Sequence, residues 1–321
     1  MTASRPSRVK LVLAFAAVYI IWGSTYLGIR LAIDTLPPFL MAATRFSLAG
    51  AIIFTWAVLK GERFIPPLRM WRRALVIGGL LLLGGNGAVT WAEKYVATSL
   101  AALLVATEPF LVVILNWAMS RHRPNWKVLL GVLIGLSGVA MLVGDGLRSN
   151  EHSTSSLMGV GVVLLGSFCW AAGSVYSSRR PIEVSSLMAA GMQMLAGGFL
   201  LFLLALATGD PQRLNLANAS WTSIGAFFYL LVFGSLVGFT AYSWLLNNVT
   251  PARAATYAYV NPVVAVLLGW LVASEPLTRQ MLIAAAVIVG SVIVITTFGR
   301  EHTPTSAPAL HDSECPTPPC A

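Results

Sequence analysis

Glu108 and Arg45 are charged side chains set deep inside long apolar runs, "SLAALLVATEPFLVVILNWAM" and "FLMAATRFSLAGAIIFTWAVL". An arginine at the centre of a membrane helix costs roughly 2.5 to 3.5 kcal/mol on insertion scales, so such groups face protein or a wet interior. The chemistry open to them is mutual ion pairing, contact with a polar cargo or, for Glu108, carriage of a proton. Pro109 follows Glu108, and Pro262 follows Asn261. Each proline lacks an amide hydrogen and frees the carbonyl four residues back, at Val105 and Ala258. At membrane depth such carbonyls need protein, water or a ligand as partner. A polar cavity supplies that; a pair of packing kinks capped by neighbouring hydroxyls is the plainer alternative.

Aromatic and amide side chains complete the constellation. Tyr257 lies one turn before Asn261; with Trp22, Ser24 and Asn86 it furnishes an apolar cavity with a few polar handles. The expected pathway is therefore Arg45, Glu108, Pro109, Asn261, Pro262, Tyr257, Trp22, Ser24 and Asn86. Tyr26, Trp91, Trp170, Tyr176, Tyr242 and Tyr259 accompany it, whereas Trp71, Trp126 and Trp221 read as interfacial anchors. Arg45 is expected to seek Glu108, either as a fixed structural pair or as a cavity charge that also meets cargo or a proton.

The elements that must hold these groups are membrane helices. Of the 321 residues, 57% are hydrophobic and 10% charged, with a mean hydropathy of +0.76, far from the roughly one-quarter charge of a soluble domain. Ten apolar stretches approach the ~20 residues that span a bilayer: Leu11 to Ile33, Phe39 to Leu59, Ala74 to Trp91, Ser99 to Met119, Val128 to Gly144, Met158 to Ser178, Val184 to Ala207, Thr222 to Leu246, Arg253 to Ala273 and Gln280 to Phe298. The first exceeds the core of a signal peptide and is read as a retained helix. The three cysteines, Cys169, Cys315 and Cys320, form neither a disulfide framework nor a zinc spacing. Residues 301–321, rich in proline, read as a disordered cytoplasmic tail.

The net charge of +9 does not call for nucleic acid. With a cytoplasmic N-terminus, 15 Lys or Arg fall on the cytoplasmic side and five on the other. That asymmetry follows the positive-inside rule and places both termini in the cytoplasm.

The chain also repeats itself. "LMAATRFSLAG" (Leu40 to Gly50) matches "LMAAGMQMLAG" (Leu187 to Gly197) at seven of eleven positions. "GSTY" at Gly23 answers "GSVY" at Gly173, and Glu108-Pro109 aligns with Asn261-Pro262. Two five-helix copies follow, 1–150 and 151–300. An odd number of crossings per copy inverts the second, the architecture of many secondary transporters, with the site near the midplane. "GVLIGLSG" carries a GxxxG spacing, suited to close packing within the chain or to dimerisation. Oligomeric state stays open.

The runs "VATSLAALLVATEPFLVVILNW", "VTPARAATYAYVNPVVAVLLGWLVASEPLT" and "AATRFSLAG" resemble the EamA-type exporters of the drug/metabolite transporter superfamily, over about residues 10 to 298. The resemblance implies an all-α integral membrane fold, ten transmembrane helices in two inverted repeats. It implies export of small metabolites, amino acids or drugs across the bacterial inner membrane, with a cavity lined partly by the fourth and ninth helices. Where such proteins often carry a Glu after each of these helices, this chain has His122 and Glu275. A lipid or glycolipid flippase on the same fold is the alternative. An enzyme would need clustered His, Asp or Ser at one depth, and the four histidines fall outside the spans. The expected mechanism is alternating access on a small-molecule substrate within a lipid bilayer, with no ATP, metal, other cofactor or nucleic acid.

Overall fold

The computed structural model describes residues 7–62, 66–96, 98–120, 124–143, 154–264 and 279–298; the tail, His122 and Glu275 lie outside them. The described residues are helical. Six helices are long and apolar enough to cross a membrane: Arg8–Ala32, Pro38–Leu59, Leu68–Ala92, Leu157–Arg179, Ser186–Ala207 and Trp221–Asn248. Shorter apolar helices cover Glu108–Met119, Trp126–Gly138 and Leu282–Ile295. The expected fourth span is two pieces, and the ninth begins as two pieces before the described residues end.

In chain order the helices are α1 (Arg8–Ala32), α2 (Pro38–Leu59), α3 (Leu68–Gly78), α4 (Ala88–Ala92), α5 (Thr98–Val105), α6 (Glu108–Ser120), α7 (Trp126–Val143), α8 (Thr154–Arg179) and α9 (Ser186–Ala207). A single turn α10 (Asp210–Arg213) precedes α11 (Trp221–Tyr229), α12 (Thr240–Asn248), α13 (Pro251–Ala254), α14 (257–264) and α15 (Arg279–Phe298). Two π-helical stretches, Gly79–Gly87 and Leu230–Phe239, run on from α3 into α4 and from α11 into α12.

Lipid tails are as apolar as leucine, so helices associate here through close packing of small residues and through polar contacts rather than through a hydrophobic drive. The two most similar segments of the sequence, in α2 and α9, pack on one another. A methyl group on Gly50 would lie 2.7 Å from the Leu195 amide nitrogen, and one on Gly198 would lie 2.8 Å from that of Ser47. Around this seam the halves exchange partners. α1 packs on α11, α12 and the π stretch between them, while α8 packs on α3, α4 and theirs. α7 lies along α15, with Gly131 against Ile295, Gly135 against Ser291 and Tyr259, and Gly138 against Ile288. The GxxxG face is therefore covered within the chain.

Polar groups tie the ends. The N-terminal amides of α2 follow a proline that caps nothing; Asp210 of α10 accepts from Phe39 N–H at 2.8 Å and Leu40 N–H at 3.1 Å. At the opposite end Arg69 and Arg73 reach Glu183 at 2.7 and 3.1 Å. Large apolar side chains such as Val12, Ile20, Phe199, Leu203 and Phe233 remain exposed on the outer surface, as a bilayer-facing belt requires.

Candidate functional site: a polar cavity where the helices break

α5 ends at Val105 and α6 begins at Glu108; α13 ends at Ala254 and α14 begins at 257. The same chemistry makes both breaks. The Thr107 amide and hydroxyl both donate to the Leu104 carbonyl, at 3.1 and 2.7 Å. The Thr256 amide and hydroxyl both donate to the Arg253 carbonyl, at 3.3 and 2.7 Å. A back-bonding threonine tightens the turn and ends the helix. The next residue, Glu108 or Tyr257, then opens the following helix, and the Tyr257 hydroxyl donates to Glu108 Oε2. Two half-helix N-termini, one from each half of the chain, are thereby joined by a short hydrogen bond in a buried place. A carboxylate at the first position of α6 also meets the positive end of its helix dipole.

This corrects two expectations. Pro109 is not a kink: it is the second residue of α6, where a helix has no use for its amide hydrogen and a proline starts the turn. The second break falls at 255–256, before Tyr257, and not beside Asn261-Pro262. Threonine back-bonding at Thr256, six residues upstream of Pro262, sets its position.

A third correction concerns the buried charges. Among the described residues no ion pair joins Arg45 to Glu108. The Arg45 guanidinium donates to Asn86 Oδ1 at 2.7 Å and lies over the Phe46 ring, 4.2 Å from its centroid. Tyr257 has taken Glu108. A neutral phenol is cheaper to desolvate than a guanidinium, and the break at 255–256 aims it at the carboxylate.

Arg45, Glu108, Asn261, Tyr257, Trp22 and Asn86 line a single cavity of about 80 Å³. That admits several waters, since one needs on the order of 10–15 Å³ by the same measure. Glu108 and Asn261 are each 1% exposed, Arg45 3%. Within this wall Glu108 Oε1, Asn261 Oδ1 and Arg45 Nε have no hydrogen-bond partner among the described residues. Buried polar atoms are normally satisfied, so an acid, an amide and a guanidinium with unmet hydrogen-bonding capacity are gathered in the residues around one space.

The rest of the wall is aromatic. The Trp22 ring lies 4.8 Å from Tyr257, 4.9 Å from Tyr242 and 5.4 Å from Trp170, centroid to centroid. Trp170 Nε1 donates to the Tyr242 hydroxyl at 3.2 Å, and Ser174 lies 2.7 Å from the same oxygen. Trp22 Nε1 donates to the Gly234 carbonyl at 3.2 Å, inside the second π stretch. The first π stretch supplies Gly85 and Asn86 to the cavity, the second Gly234 and Phe239. π-Helical turns are frequent at functional sites, where an extra residue per turn redirects backbone and side chains.

Ser24 is turned away, bonding the Ile21 carbonyl at 2.6 Å and the Tyr229 hydroxyl at 2.5 Å. Pro109 and Pro262 stand next to lining residues without lining the cavity themselves. Sequence reasoning named Tyr26 and Trp170 only as companions of the pathway and missed Phe46, Ser167 and Phe239, all of them in the wall. The glycines of "GGLLLLGGNG" and "LLVFGSLVGF" were the signal for the π turns.

The EamA-like transporter family matches twice, over residues 9–144 and 157–297. The chain is 38% identical over 306 residues to the uncharacterized inner membrane transporter YedA of Escherichia coli (strain K12), covering 94% of this chain and 95% of that one. It is 24% identical over 297 residues to the uncharacterized transporter YoaV of Bacillus subtilis (strain 168), covering 91% and 99%. A solved crystal structure, 23% identical, superposes with a TM-score of 0.72 over 92% of this chain and 99% of that one. With its paired breaks, its polar cavity and two family matches end to end, the chain belongs to the EamA-like transporter family of the drug/metabolite transporter superfamily, a family of transporters and not of enzymes.

Proposed function

We propose that this protein exports small metabolites, amino acids or drugs across the bacterial inner membrane as a secondary transporter. It crosses the membrane ten times, as inverted repeats over 1–150 and 151–300, with both termini in the cytoplasm. The two repeats rock about the midplane and expose the cavity first to one side and then to the other. The observation that carries this reading is the bond between Glu108 and Tyr257, the first residues of two half-helices from opposite halves of the chain. A cargo that competes for Glu108 loosens the link between the halves, and its departure lets the link reform. Binding is thereby coupled to movement.

The test is metabolite efflux from bacterial cells lacking other exporters, read by mass spectrometry of the medium for the wild type and Glu108→Ala at equal membrane abundance. An extracellular metabolite that rises with the wild type and not with the variant supports the reading and names the cargo. No such metabolite, with both proteins inserted, overturns it in favour of a lipid or glycolipid flippase, which an outer-leaflet lipid assay then reads.

A further inference from the structure

Glu93 is a second buried acid, and nothing in the transport cycle above uses it. It follows α4 directly, at the end of the third span away from the N-terminus, and is 0% exposed. Neither carboxylate oxygen has a hydrogen-bond partner among the described residues. The nearby cation is spoken for: Arg30, exposed at the end of α1, donates at 2.7 Å to the backbone carbonyl of Glu93 and makes no ion pair with its carboxylate. A charged carboxylate so placed would cost several kcal/mol, so the group holds a proton. Burial, only partly opposed by Arg30, keeps the carboxyl well above the usual carboxylate range.

Between this acid and the cavity stands Tyr26. It stands one helical turn before Arg30 on α1, on the face from which Arg30 reaches the Glu93 backbone. Tyr26 lines the cavity with Glu108, Asn261 and Tyr257. The other titratable groups packed around this route are otherwise engaged. Arg45 of α2 holds Asn86, Tyr242 of α12 bonds Ser174 and Trp170, Tyr259 of α14 donates to the Val132 carbonyl, and Cys169 of α8 lies beside Gly84. Lys94 and Tyr95, the next residues, are exposed.

We infer that Glu93 is a proton station that loads Glu108 from the outer side of the membrane through Tyr26. The inference rests on the transporter reading above. In the step, the Glu93 carboxyl gives its proton to the Tyr26 oxygen as the Tyr26 hydroxyl proton passes through the cavity to the Glu108 carboxylate. Glu93 is left as a carboxylate and regains its proton from the outer solution; charge and atoms balance. An acid with no fixed partner suits this, because a proton bound in an ion pair is not handed on.

The test uses the full chain reconstituted in lipid vesicles, with the proton as probe and a rapid drop in external pH. Time-resolved infrared spectroscopy follows the carboxyl band that disappears in Glu108→Gln. Glu93→Gln, which keeps shape and burial, is expected to slow the rise of that band by about tenfold or more with its final amplitude retained. Tyr26→Phe is expected to do the same, and carries the test alone if Glu93→Gln does not insert. An unchanged rate in either inserted variant overturns the proposal, as does a Glu108 band that never responds in the wild type. Because the readout is protonation and not cargo, its failure is distinct from that of the efflux experiment.

Discussion

Tyr257→Phe removes one hydroxyl and leaves Glu108 with both oxygens unpartnered, since Oε1 already lacks a partner. An unsatisfied buried acceptor costs roughly 1–3 kcal/mol, so the thermal midpoint in detergent is expected to fall and efflux to fall with it. Arg45→Met predicts the opposite combination. The guanidinium is buried without an ionic partner, and replacing such a charge by an apolar side chain of similar volume is often neutral or stabilising. A folded, equally abundant protein that no longer exports is expected, and retained efflux would take Arg45 off the pathway. At Glu93 the sign follows from the raised carboxyl. Its share of stability is full at low pH and is lost as pH rises through the raised folded value. The wild-type midpoint therefore falls on going alkaline by more than that of Glu93→Gln, in thermal scans across a pH series. Composition and cost made the buried charges legible at this scale, and six of the nine expected residues do line one cavity. Partner choice was illegible. Whether an arginine or a phenol meets Glu108 depends on a turn five to six residues upstream of Asn261, and no rule about arginine and glutamate contains that turn.

The helices themselves carry predictions that no single side chain does. At Gly78 an added Cβ would meet the Gln193 carbonyl oxygen at 2.4 Å and the Gly197 amide nitrogen at 2.8 Å, backbone that cannot swing aside. Gly78→Leu is expected to separate α3 from α9 and to cost at least the ~1–3 kcal/mol of an overpacked core, seen as lost membrane abundance. Asp210→Ala uncaps α2 from the far half of the chain; about 1–2 kcal/mol is expected from a lost helix cap, measurable as a lower thermal midpoint with efflux intact. Hydrophobic run length placed the long helices to within a few residues. It was blind to the π stretches, because an extra residue per turn leaves hydropathy unchanged, and to the breaks, because the eye goes to proline while threonine does the ending.

As a whole the molecule is two halves that share their packing. Cys315 and Cys320 lie in the tail, so the proposed topology predicts that a membrane-impermeant maleimide leaves them unlabelled on intact spheroplasts and labels them once the membrane is opened; labelling from outside would reverse the orientation. The repeat was legible as a string comparison, seven matches in eleven residues, but not what it was for. The matching stretches turn out to face each other across the seam of α2 and α9, which explains why small residues recur in both. The exchange of partners around that seam has a consequence for biogenesis. α1 rests on α11 and α12, and α8 on α3 and α4, so during synthesis the first five helices must wait in the bilayer with their interior face uncovered until the second five arrive. A ribosome that stalls after the first half leaves a degradable intermediate, not a small functional protein, and halves made from separate messages are expected to survive only when produced together.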